Sequence, residues 1–283
     1  MRETDHTPGE HIVRMRIDRF KLRLPTIVEA ILVEIPDRAL RALVADIAMR
    51  PNEVVPKRLE RPQPLVAYTI NLLARALGVR DQPLDEIMKM TVAFVEAGDL
   101  YDDAVDGDYA EGHLHQLLAV SSTLHFVATR CALRLGPAVA DGWLEAMYEL
   151  PASLLLEKDG DGSLSTYLSV VQSQAALFSA LGRVTAAVAG ADEETARKVV
   201  ELTKLLYAYL QYPHDLREAP VELAGDAREG SALAANIMRH MSVEQLKLLF
   251  GQIHSQMASA IEVLPDNRDA AHLRELITSM RPA

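Results

Sequence analysis

The stretch EAGDLYDDAVDGD, residues 96–108, ends an apolar segment with closely spaced aspartates. On a helix, Asp102 and Asp106 share a face because they are four residues apart, and Asp99 and Asp103 form a second pair beside them. Like charges at this spacing repel each other by roughly 0.2–0.5 kcal/mol per pair, and by more where they are partly buried. The stretch therefore raises the question of what compensates its charge.

Two interpretations account for these aspartates. The apolar residues before and among them predict a largely enclosed helix; they are Val92, Phe94, Val95, Leu100 and Val105. A divalent cation with oxygen ligands, such as Mg²⁺, would relieve the repulsion and bridge the carboxylates to a phosphate. An acidic helix end in solvent is also common and needs no ligand. The spacing alone does not separate a metal site from a solvated helix end.

The composition limits the classes of protein to consider. Of the 283 residues, 49% are hydrophobic and 5% aromatic, and abundant Ala and Leu favour helix over sheet. The net charge of −11 argues against general nucleic-acid binding, which needs a basic surface. The single cysteine, Cys131, suits a reducing compartment. We find no signal peptide and no apolar run able to span a bilayer, so we expect a cytoplasmic protein.

Apolar residues recur at three- and four-residue spacing along almost the whole chain, which predicts helices and no strand. We expect helices near residues 10–24, 26–34, 36–48, 62–77, 83–106, 112–134, 137–156, 163–190, 192–212, 230–239, 242–263 and 267–279. Capping residues in PDRAL (36–40) and SVEQ (242–245) support the starts of two of these helices, and Gly190 supports the end of another. Short connections predict one all-α domain over residues 1–283, with residues 1–12 and 280–283 mobile.

Several segments resemble, in the same order, the motifs of trans-isoprenyl diphosphate synthases. LYDDAVDGD (100–108) contains the pattern DDxxD and resembles the first aspartate-rich motif of that family. The KxxRP segment of that family has a counterpart in residues 58–78, RLERPQPLVAYTINLLARALG. The family's helix with the Lys-Thr step has a counterpart in residues 163–190, SLSTYLSVVQSQAALFSALGRVTAAVAG. YAYLQYPHDLREAP (207–220) stands at the second motif, QxxDDxxD, and DAREGSALAANIM (226–238) resembles the GKxTLP segment. The resemblance covers roughly residues 55–245.

The resemblance implies an isoprenoid-synthase-type bundle of about ten to thirteen helices around a central cavity, and a homodimer. In that family two acidic motifs face each other, and Mg²⁺ bridges them to the diphosphate of an allylic substrate, which ionises. By resemblance, the metal ligands here are Asp102, Asp103, Asp106, Asp215 and Glu218, of which the first three are also the catalytic residues. The implied diphosphate contacts are Arg58, Arg61 and Arg217. The implied cavity lining is Phe94, Ala97, Gly98, Gln174, Phe178 and Gln211.

The sequence departs from the family pattern where that family binds a second diphosphate. Ala110 and Glu111 stand where the family has two arginines, and Ser173 and Gln174 stand at its Lys-Thr pair. Ser231 stands at the lysine of its Gly-Lys step. Each lost charge-assisted phosphate contact weakens binding by roughly 1.5–3 kcal/mol. We therefore expect the site for isopentenyl diphosphate to be lost and the allylic site to be kept.

The second acidic motif is degenerate. In QYPHDLRE (211–218), His214 replaces one aspartate of the family pattern and Glu218 another, while Asp215 is kept. Asp215 and Glu218 are three apart and share a helix face. A second alignment follows the terpene-cyclase pattern NDxxSxxxE through His214, Glu218 and Glu222. Only Glu222 then matches in type, and an intervening proline strains a helical arrangement, so we prefer the first alignment.

These departures favour a reaction with a single diphosphate. We expect Mg²⁺-dependent ionisation of an allylic prenyl diphosphate, followed by cyclisation, rearrangement or prenyl transfer to an acceptor other than isopentenyl diphosphate. Two other functions remain open at this point. One is chain elongation with isopentenyl diphosphate, and the other is a non-catalytic subunit or scaffold of a prenyl synthase complex.

Overall fold

The structure, a computed structural model, describes residues 8–51, 53–55, 62, 64–159, 163–221 and 241–280. Within these ranges the side chains of residues 8–10, 106, 149–159, 164, 212–221 and 243 are not described. In this part of the chain the regular elements are helices, so the predicted all-α class is confirmed. They are α1 (Pro8–Lys21), α2 (Leu24–Val33), α3 (Arg38–Ile47), α4 (Pro64–Ala76), α5 (Asp81–Asp106), α6 (Leu114–Leu135), α7 (Pro137–Asp159), α8 (Leu164–Ala189), α9 (Glu193–Val221), α10 (Val243–Ala260), a short 3-10 helix (Ile261–Val263) and α11 (Arg268–Ser279).

The helix ends follow from the capping residues of the sequence. The Asp37 side chain accepts a hydrogen bond from the Leu40 amide at 2.7 Å, at the start of α3. Ser242 and Gln245 form a reciprocal capping box at the start of α10. Gly190 ends α8 in the left-handed conformation. Helix α9 continues past the predicted end at residue 212, and the predicted helix at 230–239 lies outside the described residues.

The chain divides into two compact units, Met1–Ala140 and Asp141–Ala283, and each is described on its own below. Helix α7 spans the division. The prediction of one domain over residues 1–283 stays a prediction. Among the described helices, none has the length and apolar character required to cross a bilayer.

Helix α5 forms the centre of the first unit, where it packs against α2, α4 and α6. Helix α6 runs antiparallel to it, because Ser121 Oγ donates to the Ala97 carbonyl at 2.8 Å while Arg134 contacts Glu86 near the opposite ends. Among the most buried side chains of α5 are Ile87, Met88, Met90, Ala93 and Leu100. Burying each large apolar side chain contributes about 1.5–3 kcal/mol, so packing holds the helix that carries the aspartates.

A network of charges joins the end of α2 to α5 and α6. Lys89 Nζ lies 2.7 Å from Glu86 Oε1 and 3.3 Å from Glu34 Oε1. Arg134 Nη1 donates to Glu34 Oε1 at 2.6 Å and lies 3.2 Å from Glu86 Oε2. The hydrogen bond from Arg134 outweighs burial and lowers the pKa of Glu34 to about 2. Burial raises the pKa of the adjacent Cys131 thiol to about 12, so this cysteine stays protonated and unreactive.

Helices α8 and α9 form the main packing pair of the second unit. They approach each other closely at Gly182, which is buried against the buried Thr203 of α9. Helix α10 packs against α9 and α11. The imidazole Nε2 of His254 on α10 lies 2.9 Å from the Ile277 carbonyl of α11, which fixes these two helices together.

Candidate functional site

The aspartate cluster occupies the last two turns of α5. Asp103 is nearly buried at 7% exposure, Asp99 is half-buried and Asp102 is exposed. The helix stops because Gly107 takes the left-handed conformation, with φ +77°, which suits a residue without a side chain. The backbone N–H groups of Gly107 and Asp108 both donate to the Asp103 carbonyl. The first aspartate motif thus lies at a well-defined helix end in the first unit.

The loop after this helix end is tied to an earlier part of the chain. The Ala110 N–H donates to the Val54 carbonyl at 2.8 Å, and the next side chain, Val55, is fully buried. Val54 precedes Arg58 by four residues and Arg61 by seven. Both arginines lie outside the described residues. The contact nevertheless brings the start of their segment to the loop that follows the aspartates.

The predicted cavity-lining residues of α5 have different environments. A Cβ added to Gly98, which is half-buried, would meet no atom within 4 Å, so there is open space beside it. Ala97 is fully buried, and its carbonyl accepts the Ser121 hydrogen bond from α6. Phe94 is also buried, and its ring meets the His125 ring edge-on at 6.1 Å. Of the three positions, Gly98 is half-buried with open space beside it, whereas Ala97 and Phe94 are buried.

His125 of α6 is a half-buried histidine that the sequence analysis did not single out. Burial lowers the pKa of this histidine, against the opposing effect of a hydrogen bond to the Ser121 backbone. Its Nε2 atom is buried and has no hydrogen-bond partner among the described residues. A neutral imidazole beside Phe94 is therefore part of the apolar packing between α5 and α6. Its helical spacing from Ser121 was visible in the sequence, but its contact with Phe94 was not.

In the second unit, three predicted lining residues come together around a fourth residue. The Tyr207 hydroxyl donates to Gln174 Oε1 of α8 and lies 3.2 Å from Gln211 Oε1. The Phe178 ring lies against the Tyr207 ring, with centroids 4.9 Å apart and planes tilted by 49°. All four side chains are half-buried, so each keeps an accessible surface. Tyr207 precedes Gln211 by four residues on α9. This spacing was the only sign in the sequence that Tyr207 contacts the predicted lining residues.

After Gln211, the second acidic motif is described in its backbone alone. Helix α9 runs through residues 212–221, so Asp215 and Glu218, three residues apart, lie on one helical face. The side chains of Arg217, Asp215, Glu218 and His214 lie outside the described residues, as does all of Glu222. These assignments stay predictions.

The metal assignment also stays a prediction. Among the described side chains, no group of three or more His, Cys, Asp or Glu residues is arranged to hold a metal ion. The Asp106 side chain, one of the three predicted ligands of the first motif, is not in that set. Asp102 and Asp103 supply carboxylate oxygens at the helix end, and such oxygens are the ligands that Mg²⁺ prefers. The donor chemistry of the first motif therefore fits a magnesium ion.

Comparison with solved structures identifies the fold. The chain is similar to a decaprenyl diphosphate synthase from Rhodobacter capsulatus, with 18% identity and a TM-score of 0.71 over 93% of this chain and 98% of the other. It is similar to a geranylgeranyl pyrophosphate synthetase from Geoglobus acetivorans, with 14% identity and a TM-score of 0.73 over 98% and 100%. A third structure is a polyprenyl synthase from Caulobacter crescentus complexed with calcium and isoprenyl diphosphate, with 17% identity and a TM-score of 0.67 over 93% and 97%.

These similarities extend over nearly the full length of both chains in each pair. At such low identities they establish the fold alone, and no residue role follows from them. Neither a protein-family model nor a curated protein matches the sequence. The predicted isoprenoid-synthase-type helical fold is therefore confirmed.

Proposed function

We propose that this chain, which has the fold of the trans-isoprenyl diphosphate synthases, is an enzyme that ionises an allylic prenyl diphosphate. Asp102, Asp103 and Asp106 would hold Mg²⁺, which neutralises the diphosphate as it leaves. The observation that carries the proposal is the contact between Ala110 and Val54. It joins the loop after the aspartates to the segment leading to the basic residues.

The aspartates at the end of α5 and the arginines after Val54 would bind one diphosphate together. The packed part of α5 leads directly into the turns that carry Asp102 and Asp103, so both carboxylates lie near the same end of the helix, where a cation would bind them. Arg58 and Arg61 would meet the diphosphate oxygens from the segment after Val54. The planar fork of arginine suits phosphate oxygens. Together these groups would bind and orient one diphosphate.

The open space beside Gly98 supports a site for the prenyl chain. Gly98 precedes Asp102 by four residues, so both lie on one face of α5. A chain attached to a diphosphate at Asp102 would therefore pass the glycine. Pockets for such ligands are mostly apolar and carry few polar groups. We propose that Gly98 lets a long chain or a bulky cyclised product pass.

The residues after the motif favour a reaction with one diphosphate. Glu111 is exposed, and Ala110 uses its backbone N–H to hold the loop, at positions where the resembled family has arginines. A methyl group and a carboxylate offer no charge compensation to a second diphosphate. We therefore propose cyclisation, rearrangement or prenyl transfer to another acceptor. Similarity to structures described as polyprenyl synthases keeps chain elongation as the second candidate.

Product analysis tests the proposal. The protein is incubated with Mg²⁺ and geranyl, farnesyl or geranylgeranyl diphosphate, each with and without isopentenyl diphosphate. We expect release of diphosphate and prenyl products without isopentenyl diphosphate, and no activity after removal of Mg²⁺ with a chelator. Longer prenyl diphosphates formed only with isopentenyl diphosphate would establish elongation instead. If no allylic diphosphate reacts or raises the melting temperature, the catalytic proposal is wrong and a subunit role remains.

A further inference from the structure

Helix α1 and the two residues after it carry a concentration of positive charge. Residues 11–23, HIVRMRIDRFKLR, contain five basic residues and one acidic residue, whereas the whole chain has a net charge of −11. The basic residues are Arg14, Arg16, Arg19, Lys21 and Arg23. The charge of this segment is therefore opposite in sign to that of the protein as a whole.

One face of α1 accounts for its packing in the first unit, against α2 and α4. Val13 and Phe20 are buried, and Ile17 between them is half-buried. Spacings of four and three residues place these three side chains on one side of the helix. The Phe20 ring lies against the ring of Tyr68 on α4, with centroids 5.4 Å apart. These contacts leave the other apolar residues of the segment outside the packed face.

A second set of apolar side chains is exposed. Ile12 and Met15 are 41% and 51% exposed, and Leu22, in the turn after the helix, is 80% exposed. Met15 follows Ile12 by three residues and Arg19 follows Met15 by four, so these three share a face turned away from Val13. Exposed apolar side chains that occur singly need no explanation, whereas three within residues 12–22 form a surface that can bury in an apolar phase.

Arg14 and Arg19 add positive charge to this surface. Both are exposed, and neither forms an ion pair with a side chain in the described part of the chain. Their guanidinium groups are therefore available to an external anion. We use the name α1 surface for the set of Ile12, Arg14, Met15, Arg19 and Leu22.

We propose that the α1 surface binds an anionic lipid bilayer from its aqueous side, an inference that goes beyond the proposed function. The arginines would contact lipid phosphates, and the three apolar side chains would enter the boundary between headgroups and acyl chains. Charge complementarity carries the choice of occupant. An anionic surface repels the protein as a whole and attracts this segment, so charge would orient the chain with α1 toward the lipid.

The same charges disfavour a second copy of this chain as the occupant. A symmetric contact would bring the α1 surfaces of two copies together, and with them Arg14 and Arg19 of each copy. Asp18, the acidic residue of segment 11–23, already lies 3.4 Å from Lys21. Like charges placed opposite each other weaken an interface, whereas lipid phosphates neutralise them.

Vesicle co-sedimentation with the full chain tests the proposal. Vesicles of phosphatidylcholine with about 25% phosphatidylglycerol are compared with vesicles of phosphatidylcholine alone. We expect the native protein to bind the anionic vesicles at least about tenfold more tightly than the neutral ones. Binding should be lost between about 0.1 M and about 1 M salt, because the screening length falls from about 10 Å to about 3 Å.

Two variants remove the two components of the α1 surface. The double variant Arg14→Gln/Arg19→Gln should bind anionic vesicles about ten- to thirtyfold more weakly, because each basic residue near such a surface contributes about fivefold. Leu22→Ser should weaken binding about five- to tenfold, since it removes an apolar side chain from the acyl boundary. All three side chains are exposed, so we expect both variants to fold, which thermal unfolding checks.

Exposed residues of the second unit provide matched controls. Arg183→Gln/Arg197→Gln makes the same change in net charge at two exposed arginines, one on α8 and one on α9. Leu248→Ser on α10 removes a leucine that is 69% exposed. Both control variants should bind the anionic vesicles as tightly as the native protein does.

Three vesicle results would overturn the inference. They are no binding of native protein to the anionic vesicles, equal binding to neutral and anionic vesicles, or equal weakening in the control and α1 variants. Light scattering without lipid tests the other occupant. If either α1 variant has a smaller oligomeric state than the native protein, a second copy covers this surface and the inference is wrong. None of these measurements uses a substrate, so they decide the inference even if the proposed function fails.

Discussion

Gly182 of α8 and Thr203 of α9 pack so closely that a Cβ added to the glycine would lie 2.5 Å from Thr203 Oγ1. It would also lie 3.1 Å from the Val199 carbonyl oxygen. The threonine hydroxyl contacts the carbonyls of Val199 and Val200, at 3.3 and 3.0 Å, so moving it away would break a buried hydrogen bond. This contact sets the helix spacing on which the pairing of Tyr207 with Gln174 depends.

Replacement of Gly182 by alanine should therefore destabilise the protein. We expect the free energy of unfolding to fall by about 1–3 kcal/mol, because overpacking outweighs the better helix propensity of alanine. Gly251 is the matched control, since it lies inside α10 and an added Cβ meets no atom within 4 Å. Gly251→Ala should raise the free energy of unfolding by about 0.5–1 kcal/mol. Urea denaturation measures both, and equal effects would refute the packing argument.

Replacement of Asp102 by asparagine should abolish turnover of an allylic diphosphate. The amide keeps the shape of the side chain but removes the negative charge needed to hold Mg²⁺, so we expect kcat to fall at least about a hundredfold. Asp85→Asn is the control, because Asp85 is exposed near the opposite end of α5. Steady-state release of diphosphate is the measurement. A fully active Asp102→Asn enzyme would place ionisation elsewhere.

Substitution of Gly98 should change the preferred length of the prenyl chain. The space beside this glycine accommodates a methyl group, so Gly98→Ala should fold and keep its substrate preference. Gly98→Phe should fill the space and shift the ratio of kcat/KM values toward geranyl diphosphate and away from geranylgeranyl diphosphate. Competition between the two substrates gives this ratio directly. An unchanged ratio in Gly98→Phe would remove this position from the cavity wall.

The charge network around Glu34 should make stability depend on pH in the acid range. The pKa of Glu34 is lowered from 4.5 to about 2, so the native state binds fewer protons than the unfolded state between these values. The stabilisation is therefore complete above the unfolded pKa and is lost as the pH falls toward about 2. Glu34→Gln should remove about 1.5–3 kcal/mol near neutral pH and flatten the dependence below about pH 4.5.

Asp46 provides the control for Glu34. Its contact with Arg50 spans 3.7 Å between side chains that are 69% and 71% exposed, so solvent screens the pair. Asp46→Asn should change the free energy of unfolding by less than about 0.5 kcal/mol at any of these pH values. Denaturation at about pH 5 and about pH 3 is the measurement. If the free energy of unfolding changes equally with pH in the native protein and in Glu34→Gln, the acid sensitivity comes from other carboxyl groups.

The local features of this molecule were predictable, and the distant contacts were not. Helical periodicity and caps depend on neighbours within a few residues, so α5 and its aspartates were placed correctly. The hydrogen bond of the Tyr207 hydroxyl joins it to Gln174, 33 residues earlier in the chain. The contact of His125 with Phe94 and the tie between Val54 and Ala110 likewise join separate segments. Spacing along a sequence carries no direct information on such pairs.

The position of the aspartates at the end of α5 has a consequence for local motion. The last turn contains Asp103 and Asp106 and no basic residue, so carboxylates lie at the negative end of the helix dipole. Each such charge opposes helix formation by about 0.3–1 kcal/mol. Without a cation, backbone amides at residues 103–108 should exchange with deuterium faster than those at 87–97, and Mg²⁺ should slow them selectively. Fraying at the end of α5 would then report directly on the supply of cations in solution.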